Sequence, residues 1–146
     1  MKYSQATNYA LHTMLHLVAL HNHSNTSVQQ LAELQNLSPT YLSKILTKLV
    51  KAGLIESTPG IRGGYRLRKE KADVSFLDVI QAIEGTASFF HCEVTAAHKG
   101  CLIQKTMTTA EQQMETYLQS QKLIKLVDQF VTHNTTDKTV KNNHRP

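Results

Sequence analysis

Cys92 and Cys101 are the only thiols of the chain. They sit in FFHCEVTAAHKGCLIQ with His91, His98 and Lys99 nearby. The thiolate is the reactive form of cysteine, and cationic neighbours lower a thiol's pKa and favour its oxidation. The spacing also permits a Cys92–Cys101 disulfide, within one chain or between two. These residues therefore offer a reversible thiol switch, with two inert thiols as the plain alternative. His12 and His16 lie four residues apart on one helical face. No carboxylate or cysteine completes a metal set beside them, and they read as surface or partly buried histidines. A Cys–His nucleophile pair would mark an enzyme. Nothing here resembles an oxyanion loop, a phosphate-cradling motif or a metal-hydrolase set, so the chain reads as no enzyme.

The elements that must carry this loop begin with SVQQLAELQNLSPTYLSKILTKLVKAGLI. Ser27 and Gln30 form a capping-box pattern, and Val28, Leu31, Ala32 and Leu34 supply an apolar stripe. Ser38 is a natural N-cap, with Pro39 at the first helical position. Tyr41, Leu42, Ile45, Leu46, Leu49 and Val50 then repeat at helical spacing until Gly53. The short Gln35–Leu37 connection predicts a helix-turn-helix. The second helix turns Thr40, Ser43, Lys44, Thr47, Lys48 and Lys51 outward. No acid occurs from Leu34 to Ile55. Solvated helices ordinarily mix both charge signs, so this face suits phosphates and base edges. A winged-helix module that binds only protein would show little such bias.

Next, LIESTPGIRGGYRLRK predicts strands at Leu54–Ser57 and Tyr65–Arg68 around a tip containing Pro59, Gly60, Gly63 and Gly64. Arg62 projects from that tip, backed by Arg66, Arg68 and Lys69. An arginine on a thin glycine-rich loop can enter a narrow minor groove, where the negative potential is strongest. Directly behind a helix-turn-helix, such a hairpin is a wing.

Net charge is +5, and its distribution says more. Residues 1–70 hold eight Lys/Arg against three acids, 71–130 five against seven, and 131–146 three against one. The positive field thus belongs to the segment expected to read DNA. An opening helix from about Tyr3 to His21 should pack across the helix-turn-helix, with Lys2, Tyr3 and Tyr9 near the phosphate backbone. Ser75 and Asp78 box a further helix that Gly85 closes. No apolar run approaches a membrane span, and MKYSQATNYA lacks a signal peptide's apolar centre. The expectation is a cytoplasmic protein.

From Leu102 the stripe narrows to Ile103, Met107, Ala110, Met114, Tyr117 and Ile124, with Gln121 interrupting. That pattern suits a coiled-coil seam between two copies. Ser120 is expected to cap a last short helix through Phe130. The fold class expected is mainly α with a small β-hairpin: a winged helix-turn-helix plus a long C-terminal dimerisation helix. The divisions are residues 1–85 for DNA binding, 86–101 for a sensor loop, 102–130 for dimerisation and 131–146 for a disordered tail.

LSPTYLSKIL, PGIRGGYRL, VSFLDVIQAIEG and the cysteines before a long helix together resemble the Rrf-two family of bacterial winged-helix transcriptional regulators, over about residues 1–130. The resemblance implies a homodimer on a palindromic operator, with the recognition helix in the major groove and the wing in the minor groove. It also implies contacts from Thr40, Tyr41, Ser43, Lys44 and Arg62. The full expected set of DNA contacts is Lys2, Tyr9, Ser38, Thr40, Tyr41, Ser43, Lys44, Lys48, Arg62, Gly63, Gly64 and Arg66. Cluster-binding members resemble one another in three cysteines before the long helix. Cys92 and Cys101 match the first and third, and His98 or His91 is the nearest substitute for the second. An iron–sulfur cluster needs four ligands, usually thiolates, though histidine replaces some. A cluster, a thiol switch and control by another ligand or partner remain open on these residues. The regulator is read as a repressor.

Overall fold

The side chains that would meet DNA are carried by helices whose ends are chemically marked. The computed structural model describes residues 2–20, 24–94 and 100–130. Helix α1 (Gln5–Ala19) starts at Ser4, whose hydroxyl accepts from the Thr7 amide. Helix α2 (Val28–Gln35) carries the Ser27–Gln30 capping box and ends at Asn36, whose left-handed backbone turns the chain sharply. Asparagine tolerates that conformation better than most residues. Helix α3 (Pro39–Lys51) is capped by Ser38 with proline in its first turn, while Lys48 and Lys51 lie at the end favoured by the helix dipole. Gly53, at φ +77°, ends it.

Strands β1 (Ile55–Thr58) and β2 (Gly64–Leu67) pair antiparallel, from Ile55 opposite Leu67 to Thr58 opposite Gly64. They sit one residue from the expected spans, because Leu54 is buried against the core. Its carbonyl accepts from the Arg68 and Lys69 amides instead of laddering. A 3₁₀ turn at Lys71–Asp73 leads to helix α4 (Phe76–Glu84), boxed by Ser75 and Asp78. Burial pushes the Asp78 carboxyl upward. The Lys69 ammonium at 2.7 Å and the Ser75 amide outweigh that and hold it below the usual range.

Helix α5 (Leu102–Ser120) packs on α4 and buries none of its own residues fully. One hydrophobic core joins Met14 and Val18 of α1, Leu31 of α2, Leu42, Leu46 and Leu49 of α3, and Val79 of α4. Burying one such side chain contributes about 1.5–3 kcal/mol. Leu123, only 1% exposed, belongs to the same core.

Two expectations about the C-terminal part are corrected. Ser120 caps no new helix; its hydroxyl donates to the Tyr117 carbonyl at the end of α5. Gln121 then adopts an extended conformation, its carbonyl accepts from the Phe76 amide, and the Leu123 amide donates to Val74. A 3₁₀ turn, Leu123–Leu126, follows and passes into an α-helical turn over 127–130, so the short last helix through Phe130 is present although Ser120 does not cap it. Ile124 therefore leaves the α5 stripe and packs against the winged core. The Ile103–Tyr117 stripe does stay on one helix, with Ile103 66% and Tyr117 64% exposed. The tail expected to be disordered lies outside the described residues.

Candidate nucleic-acid interface and cysteine cleft

On α3, Thr40, Tyr41, Lys44, Thr47, Lys48 and Lys51 are exposed while Leu42, Ile45, Leu46 and Leu49 are buried. Ser43 is half-buried. Two hydrogen bonds and one ring contact shape this face. The Ser38 hydroxyl accepts the Tyr41 amide at 3.1 Å, and Thr47 donates to the Ser43 carbonyl at 2.8 Å. Tyr41 also meets the half-buried Tyr9 ring edge-on, at 6.0 Å and 89°. Tyr9 thereby supports the recognition helix from α1, while Lys2 is exposed at the chain's start.

The wing is held from behind by a segment that sequence patterning does not mark. Thr26 and Tyr65 exchange backbone hydrogen bonds at 2.9 and 2.8 Å, and Asn25 Nδ2 donates to the Arg62 carbonyl at 3.1 Å. A Cβ on Gly64, whose φ is +142°, would lie 2.5 Å from the Thr26 carbonyl oxygen. On Gly63 it would lie 2.1 Å from that of Thr58. Both glycines are thus required by the folding of the wing itself. Arg62 and Arg66 are exposed, and Arg66 pairs across the hairpin with Glu56.

Cys92 and Cys101 come together at the start of α5. Cys101 is the N-cap of α5, its sulfur accepting the Gln104 amide at 3.5 Å. That bond and a second from the Cys92 side chain hold the Cys101 thiol below its ordinary pKa. The Gln104 side chain takes the Cys92 amide at 2.7 Å and donates to the Phe90 carbonyl. One glutamine therefore touches both cysteine positions. His91, Val94, Lys105 and the two thiols line an open cleft of about 540 Å³. His98 and Lys99 lie outside the described residues.

A carboxylate fixes the approach to this cleft. Glu111 on α5 accepts from the Phe89 and Phe90 amides at 2.7 and 3.1 Å and from the Ser88 hydroxyl at 2.7 Å. Tyr3 lays its ring edge against Phe89 at 6.3 Å and donates its hydroxyl to the Met114 sulfur. The start of α1 thus touches both the cysteine loop and the long helix. Glu84, at the end of α4, accepts from Thr7, the Ser4 amide and the Ser4 hydroxyl. Those donors, with Thr7 foremost and Lys48 adding positive charge, hold its carboxyl below the usual range.

The model of the family described as "Iron-dependent Transcriptional regulator" matches residues 3–129. The chain belongs to the Rrf2 family. Among similar proteins, CymR of Bacillus subtilis is 36% identical over 88 residues, covering 60% of this chain and 64% of CymR. IscR of Vibrio atlanticus is 37% identical over 101 residues, covering 68% and 58%. The solved structure of B. subtilis CymR, the global cysteine regulator, superposes with a TM-score of 0.71 at 28% identity, covering 88% of this chain and 97% of that one. In sequence, the match thus spans about 60% of the length of these two relatives. The mainly helical fold with a two-stranded hairpin is that of the winged-helix regulators, and the resemblance drawn from the sequence is borne out. The Rrf2 homologues are transcriptional regulators, and no helix among the described residues is long and apolar enough to cross a membrane.

The Rrf2 description implies iron, and the donor set here bears on that. A cluster takes four ligands. The described residues bring two thiols and His91 to one cleft, and no group of three or more His, Cys, Asp or Glu among them is placed to hold a metal ion. The described part of one chain does not complete a cluster site.

Gln104, Glu111, Asn25 and Glu84 escaped sequence reasoning. Each takes its structural partner from a segment 12 or more residues away, which sequence patterning does not show. Glu111 alone left a trace, as the one acid on the helix stretch TMTTAEQQ.

Proposed function

We propose that the chain works as a homodimeric, sequence-specific DNA-binding transcriptional repressor, switched by the oxidation state of Cys92 and Cys101. The DNA reading rests on one observation above others: an exposed recognition-helix face without acids stands beside a firmly held, arginine-bearing wing. Lys44, Lys48, Arg66 and Lys2 serve phosphates, with Glu56 tempering Arg66. Thr40, Tyr41, Ser43 and Ser38 serve bases and register. Arg62 serves the minor groove, carried by Gly63 and Gly64. Pairing along Ile103, Met107, Ala110, Met114 and Tyr117 places two recognition helices about 34 Å apart, one turn of DNA, to match a palindromic operator.

The switch reading rests on two thiols lining one cleft, with the Cys101 thiol held below its ordinary pKa. Loss of two electrons to an oxidant such as a peroxide joins the two sulfurs, releasing two protons, and the peroxide leaves as water. The new bond shifts Cys101 at the N-cap of α5 and Cys92 on the loop gripped by Gln104. Binding to a duplex from upstream of the coding region, measured at two salt concentrations before and after peroxide, tests both parts. Steep salt dependence with operator selectivity is expected, and peroxide should change affinity in the parent but not in Cys92→Ser or Cys101→Ser. Equal binding to every duplex removes the regulator; unchanged peroxide response in both variants removes the switch. The iron–sulfur reading, with Cys92, Cys101 and His98, draws on the family description. Brown protein after purification without oxygen would favour it over the thiol switch.

A further inference from the structure

Ile61 lies in the loop at the tip of the wing with its side chain wholly exposed, 106% by relative area. A single exposed isoleucine is ordinary on a protein surface. This one sits on the wing, read above as the minor-groove element, next to Arg62. Its backbone is also held on both sides. The Gly63 amide donates to the Gly60 carbonyl at 3.0 Å, closing the tip, and Asn25 fixes the Arg62 carbonyl at 3.1 Å. Behind it, the Thr26–Tyr65 bridge and the two crowded glycines leave the hairpin little freedom. A presented apolar group that needs little ordering loses little on binding.

We infer that Ile61 is an apolar minor-groove contact, packing against the deoxyribose walls beside Arg62 and adding a salt-insensitive part to the affinity. This rests on the DNA-binding reading above. Proteins that bind the minor groove frequently add apolar side chains, isoleucine among them, to the basic ones that read it. Arg62 reads potential and Ile61 reads width: a narrow groove brings both sugar walls onto the side chain, and a wide one leaves it half-solvated. One tip therefore carries two kinds of readout that respond differently to salt.

The experiment uses the full chain and a duplex that the parent enriches from a random-sequence library. Affinity is measured across a salt series for the parent, Ile61→Ala, Ile61→Val, Ile61→Lys and Arg62→Ala. Ile61→Ala should weaken binding about tenfold, from three carbons at least partly buried, with an unchanged slope of log K against log salt. Ile61→Val, one carbon smaller, should fall between it and the parent. Arg62→Ala should reduce the slope by about one. Ile61→Lys should steepen the slope while losing preference for the enriched duplex. Parent-like affinity for Ile61→Ala, or a slope change matching Arg62→Ala, would overturn the apolar contact while leaving the regulator intact. If the parent enriches no sequence at all, the DNA reading falls and Ile61 with it.

Discussion

Cys101 does two jobs with one sulfur: it ends the loop and begins α5. Its hydrogen bonds lower the thiol pKa, so the thiolate persists at a pH where an ordinary thiol, near 8.5, is protonated. Alkylation by iodoacetamide, followed against pH, should show a Cys101 midpoint below that of a free thiol. Cys92→Ala should move it up, because one of the three donors is gone; an unmoved midpoint would leave the Gln104 and Ile103 amides as the cause. Glu84 gives an acid-side prediction. Its folded pKa lies below the unfolded value, so it adds stability above the unfolded pKa of about 4.3, lost as pH falls through the folded one. Glu84→Gln should therefore flatten the acid limb of the melting-temperature profile; an unchanged limb would show that Ser4 and Thr7 hold α1 without it.

At the scale of elements, the capped helices were legible and the contacts between elements were not. Ser27 with Gln30, Ser38 with Pro39, and Ser75 with Asp78 announce helix starts because capping is local chemistry. Ser120 misled for the same reason: a serine near a helix boundary serves either end, and only the extended Gln121 decides which. The tether of Asn25 and Thr26 to the wing was illegible, since backbone pairing between distant segments leaves no side-chain pattern. Gly64→Ala should weaken this tether, lowering operator affinity and the melting temperature together, because its Cβ meets the Thr26 carbonyl. A variant with parent-like melting and binding would show that the wing shifts freely. The exposed α5 stripe carries its own test. Tyr117→Glu should yield monomers by analytical ultracentrifugation, and a dimer that survives would place the interface elsewhere.

Over the whole molecule, positive charge is concentrated where the helix-turn-helix and wing lie, as the uneven count along the chain indicated. Leu46→Ala, deep in the shared core, should cost about 2–5 kcal/mol by chemical denaturation. It should also reduce affinity, because α3 supports the reading face with the same leucines that anchor it. The cysteine cleft was half legible: the thiols were found, and the glutamine and glutamate that grip their loop were not, because their partners on that loop lie 12 and 22 residues away in sequence. Leu123 has a further bearing. With that leucine sunk among α1 and its neighbours, α5 is moored at its far end and held near its middle by Tyr3. A rod fixed in that manner cannot swing free of the body that carries it. Removing residues 121–130 should therefore loosen α5 from that body, seen as a lower melting temperature, and weaken any effect of cysteine oxidation on DNA affinity; a deletion with parent-like melting would show that the far end carries no load.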